Sequence, residues 1–129
     1  MTSYDADRPL DPEAWLLLDG HERRSLVRAS HVGLSDTLHD SRVPPAMHAA
    51  MHVVIEDQIA SGAPAVTRET VERLVDMGVR RHVALHMAIE VLMAQLAGGA
   101  DVLDAPYAAA LRALDPGTWL GDHMRRTLT

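Results

Sequence analysis

Two short stretches of the chain repeat one arrangement of metal-binding side chains. His48, His52 and Glu56 stand four residues apart, and so do His82, His86 and Glu90. Residues four apart on an α-helix are neighbours on one face, one turn from each other. A His pair at that spacing can aim both imidazoles at one ion, as in His-Glu-x-x-His zinc proteases. The Glu lies one further turn on, only about 80° round from the first His. Imidazole suits zinc, iron, copper or nickel, and a carboxylate widens the choice towards manganese and iron.

The expected site is therefore a divalent metal ion, with zinc or iron leading. It is held by His48, His52, Glu56, His82, His86 and Glu90, the four imidazoles being primary ligands and the two carboxylates ligands or outer acceptors. If the two helices lie parallel and in register, His48 faces His82, His52 faces His86 and Glu56 faces Glu90. His31, set among apolar residues, is a candidate seventh member. A two-metal, carboxylate-bridged centre also fits this set. Were the chain an enzyme, such an ion would activate water or dioxygen with a Glu as base. Two rival readings use the same residues. One is a non-catalytic helical interaction module whose His/Glu network is structural. The other is a pH-responsive element, since clustered His titrate near neutrality.

Several elements must position these groups. Asp11-Pro12 reads as N-cap and first helical residue of a short apolar turn, Ala14 to Leu18. Asp19 with Glu22 forms a capping box for a second helix, on which Val27, His31, Leu34 and Leu38 share a face. Pro44-Pro45 punctuates the chain. A helix then runs from about Pro45 to Ala60, stopped by Ser61-Gly62 and Pro64. Thr67 is the expected N-cap of the next helix, with Val66 and Val71 as a hydrophobic staple. A further helix extends from about Arg80 to Gly98-Gly99. Between Val83 and Ala94 its only polar residues are His86 and Glu90, and a helix apolar all round is a buried one. A last helix spans about Asp104 to Leu114, with Pro116 as its stop. The expectation is one all-α domain, a helical bundle of about five helices over residues 11–116. Residues 1–10 form a disordered N-terminus and residues 117–129 a tail.

Composition narrows the function. The formal charge is −6 over 129 residues, which disfavours nucleic-acid binding. Without Cys, thiolate zinc and iron–sulfur sites are excluded. There is no Phe, so the core is aliphatic. The acidic N-terminus lacks an apolar signal core and no apolar run spans a membrane, so a cytoplasmic protein is expected. A homodimer sharing the site would carry the same motifs. Met47, Met51, Met87 and Met93 beside the ladders read as core filler, and His21, His39 and His123 as surface residues. No Gly-rich phosphate loop or Gly-x-Ser-x-Gly elbow is present.

The stretches around Trp15, Leu26-Val27, His31, Met47 to Gln58 and Arg81 to Glu90 resemble an uncharacterised family of small bacterial all-helical proteins. That family is a domain of unknown function whose members carry paired His-x-x-x-His helices. The resemblance rests on His48-x-x-x-His52 followed by Glu56-Asp57-Gln58, and on Arg81-His82-x-x-x-His86. It covers roughly residues 13–96. Two positions depart from the pattern: Ser30 stands where Tyr is frequent, and Arg80 where an acidic residue is common. The resemblance implies a helical fold and no known activity.

Overall fold

The computed structural model describes residues 1–32, 43–99, 101–102 and 104–121. It is a single all-α domain, with no strand among those residues. Among the described residues six helices carry the architecture: α1 Pro12–Leu17, α2 Gly20–Ser30, α3 Pro45–Ser61, α4 Ala65–Asp76, α5 Arg81–Ala97 and α6 Ala105–Arg112. A seventh, α7, spans 116–121. The count exceeds the expected five chiefly because of the short pieces at either end.

Local chemistry sets most boundaries. Asp11 caps α1 through the Glu13 amide, and Asp19 with Glu22 closes a reciprocal capping box on α2. Gly62 ends α3 at φ 69, a left-handed conformation that a side chain would strain. The start of α4 differs from the expected Thr67 cap. Pro64 precedes its first turn, and Thr67 is buried, donating to Gln58 Oε1 at 2.6 Å. Its hydroxyl therefore ties α4 to α3. The expected staple residues Val66 and Val71 are both buried. The last expected helix, α6, ends at Arg112, ahead of Pro116, and Pro116 opens α7, where Asp115 accepts from the Thr118 amide. The α2 helix ends at Ser30 with His31 as C-cap. The expected positions of Leu34, Leu38, His39 and His123 lie outside the described residues.

The central element is α3, which packs against α1, α2, α4 and α5. Its partner α5 is buried along most of its length, with Ala84, Leu85, Met87, Ala88 and Leu92 fully enclosed. Met51 and Met93 pack at the edge of the core, whereas Met47 is exposed. Trp15 is fully buried and donates its indole N–H to Asp57 Oδ1 at 2.8 Å. Arg23 binds the same oxygen and the carbonyls of Trp15 and Leu16, pinning α1 and α2 onto α3.

Within residues 1–10, expected to be a disordered N-terminus, two side chains pack into the bundle. Tyr4 and Ala6 are buried, and the Tyr4 ring packs 5.9 Å from that of Trp15. The reason is polar as much as apolar. Arg81 reaches the Ala6 carbonyl, and Asp7 receives both the Arg80 guanidinium and the His82 amide at the start of α5. Among the described residues no helix is long and apolar enough to cross a membrane.

Candidate metal centre

Among the described residues, five imidazoles meet inside the bundle: His31 from the end of α2, His48 and His52 from α3, and His82 and His86 from α5. His52 stands in the middle. It is fully buried, and its ring centroid lies 4.6 Å from His31, 4.8 Å from His48, 5.0 Å from His86 and 5.4 Å from His82. Ring nitrogens of His31, His52, His82 and His86 all fall within 4.8 Å of one another, an arrangement that can hold a metal ion. Two pairs are closer. His31 Nε2 is 3.2 Å from His82 Nε2, and His52 Nε2 is 3.1 Å from His86 Nε2. Tetrahedral nitrogen ligands at zinc-like bond lengths sit about 3.3 Å apart.

The hydrogen-bond network favours one tautomer at two of these rings. His31 Nδ1 lies 2.8 Å from the Val27 carbonyl, an acceptor that requires Nδ1 to carry the proton. Its Nε2 then presents a lone pair to the centre. Tyr4 donates its hydroxyl proton to Glu56 Oε2 at 2.6 Å, which leaves the phenol oxygen as the acceptor facing His52 Nδ1 at 3.4 Å. A His52 ring protonated on Nδ1 satisfies that contact and turns its Nε2 lone pair towards His86 Nε2, 3.1 Å away. Carbonyl and hydroxyl partners of this kind fix the orientation of metal-ligating His.

The carboxylates of the two ladders lie elsewhere. Glu56 is fully buried, but Arg81 grips both its oxygens, at 2.6 and 2.9 Å, and Tyr4 takes a further lone pair. Burial opposes the Arg81 charge, yet the hydrogen bonds and attraction of Glu56 outweigh it and push the guanidinium pKa up. Burial, and then the Glu56 charge, hold Tyr4 firmly protonated. Glu90 is half-buried and receives the indole N–H of Trp119 from α7. The expected parallel register, with His48 facing His82 and Glu56 facing Glu90, is not what forms. Contacts run in the opposite sense: Glu56 with Arg81, His52 with His82 and His86, and His48 with His86. Eight residues beyond the first His of each ladder, the two Glu are carried to opposite ends of the cluster.

Burial first, and then the surrounding imidazoles, depress the His52 pKa well below its usual 6.5. Both effects favour the neutral ring, the form that binds metal. Sequence reasoning brought together four of the five rings and held His31 as a candidate. It missed Tyr4, which has no helical spacing to the ladders, and it read Arg80-Arg81 as a solvated turn, whereas Arg81 is buried against Glu56. His21, expected at the surface, is exposed.

These features define a small all-α protein that gathers imidazoles between three of its helices. The chain belongs to the family described as Domain of unknown function (DUF1841), whose profile matches residues 22–101. All five His lie within that span, as do Glu56 and Arg81, while Tyr4 lies outside it. Neither curated proteins nor solved structures gave a match.

Proposed function

We propose that this chain is a metal-binding protein whose ion sits among His31, His52, His82 and His86, with His48 alongside. Zinc or iron is the ion favoured by an imidazole set without thiolates. Glu56 serves as an outer carboxylate, acting through Tyr4 on His52 rather than touching the ion. Glu90 lies further out, on Trp119.

One observation carries this reading. Two rings from different helices, His31 and His52, each have an Nδ1 partner that favours a proton there, so that their Nε2 lone pairs point at the same small volume. Convergent lone pairs repel unless a proton or a cation lies between them. His82 Nε2 and His86 Nε2 lie 3.2 and 3.1 Å from the nitrogens that carry those lone pairs, close enough to share an ion with them. Support also comes from His52, which stays neutral where a purely surface imidazole would titrate.

The test is metal content of the full chain, purified without a His tag, stripped with chelator and then reloaded with zinc or iron(II). Stoichiometric uptake is expected, with a rise in thermal stability that chelator reverses. Sub-stoichiometric uptake, with stability indifferent to chelator, would contradict the proposal.

A further inference from the structure

A groove of about 830 Å³ lies open along α4, with the N-terminal segment, Ile59 of α3 and the start of α5 completing its walls. It contains none of the five imidazoles. Its floor is aliphatic. Val71 and Val75 stand one turn apart on α4, Val79 follows the Gly78 turn, and Leu10 and Ile59 complete the surface. Val75 is 40% exposed, so this apolar surface meets water. Grooves of this size, mostly apolar with a few polar groups at fixed places, suit small organic ligands. No aromatic ring lines this one, so a ligand is held by aliphatic contact and by charge, without stacking.

Charge at the groove selects the ligand. Its arginines are engaged within the protein: Arg68 donates to the Ile59 and Ala60 carbonyls, Arg80 pairs with Asp7, and Arg81 pairs with Glu56. Glu72 and Asp76, one turn apart on α4, are exposed and form no ion pair among the described residues. Asp76 is also the last residue of α4, where the helix dipole is itself negative and a carboxylate adds to it. Arg73, the basic residue of that last turn, reaches instead to the Leu111 and Leu114 carbonyls at the end of α6. The potential along this wall is therefore negative, beside an aliphatic floor. We infer that the groove binds a small amphipathic cation, an aliphatic amine or guanidine. Its hydrocarbon body lies on Val71, Val75 and Val79, and its charged head meets Glu72 and Asp76. This site does not depend on the metal-binding reading.

The probe is n-octylammonium chloride, titrated below its aggregation concentration into the isotope-labelled full chain while amide resonances are followed by NMR. Saturable one-site shifts are expected, confined to the neighbourhood of Leu10, Val71, Val75 and Val79. Octanoate, of equal chain length and opposite charge, is expected to bind at least ~5-fold more weakly, the scale of one or two exposed ion pairs. The double change Glu72→Gln with Asp76→Asn alters two exposed side chains, and its amide spectrum away from α4 reports that it is folded. It is expected to lose most of that preference. Octanoate binding as tightly as octylammonium, or a folded double variant that keeps the preference, would overturn the cationic class. Absence of saturable shifts at the groove would overturn the site. Shifts at the same residues on simple dilution of the ligand-free chain would assign the face to a second copy and overturn it too.

Discussion

Tyr4 gives its hydroxyl proton to Glu56 and so turns its oxygen towards His52 Nδ1, 48 residues along the chain. An N-terminal side chain thereby bears on which nitrogen of a buried ring faces the imidazole cluster. Removing the hydroxyl while keeping the ring separates this role from packing. Tyr4→Phe is expected to fold and to lower metal affinity by about 10–100-fold, the usual cost of losing an outer partner. Competition with a chromogenic chelator measures this. Unchanged affinity would show that Tyr4 only fills space.

Arg81 and Glu56 form a buried pair, with the carboxylate fully enclosed. Removing one member leaves the other charged without compensation. Arg81→Met is expected to destabilise the protein by about 3–5 kcal/mol in urea unfolding. The double change Arg81→Met with Glu56→Leu is expected to recover much of that loss, because both charges then disappear. A double variant as unstable as the sum of its singles would contradict a coupled pair.

Acid is expected to weaken the metal-free fold. His52 in the folded state has a pKa well below 6.5, so it stays neutral while the unfolded chain takes up a proton. The unfolded state binds more protons, and stability falls as pH drops below that unfolded value; above it the contribution is constant. Urea midpoints in chelator, taken from about pH 8 to about pH 5, check the sign. A midpoint that holds or rises on acidification would contradict the buried neutral ring.

The N-terminal segment is expected to be structural. Deleting residues 1–9 removes Tyr4 and Ala6 from the core, with the Asp7 contacts to Arg80 and the His82 amide. Glu56 and Arg81 would lose one shared partner and the start of α5 its acceptor. Thermal unfolding of the shortened chain should show a clear drop in midpoint and weaker metal retention. An unaltered midpoint would return the segment to the status of a tail.

How much of this was legible beforehand depends on the range of each interaction. Helices α3 and α5 could be read from spacing alone, because the ladders and the all-round apolar character of α5 are local patterns. The meeting of His52 with His86 followed from the repeat. The fate of Glu56 and Glu90 did not, since it turns on the sense in which α3 and α5 meet, and both senses use the same spacing. Tyr4 was illegible for a related reason: a single aromatic in a polar stretch gives no periodic signal, and its burial depends on Trp15, Arg81 and Glu56 from three other places. The start of α4 was misjudged because Thr67 carries the usual N-cap chemistry yet spends it on Gln58.

X-ray absorption on the zinc- or iron-loaded full chain tests the central claim most directly, because imidazole rings give a distinctive multiple-scattering pattern. The expected shell contains at least four nitrogen ligands with that pattern, at about 2.0–2.1 Å for zinc. Glu56→Gln and Glu90→Gln, where they fold, should leave the shell unchanged, and His52→Ala should remove the tightly bound ion. A shell dominated by carboxylate oxygen, or one that His52→Ala does not alter, would contradict an imidazole centre in this bundle.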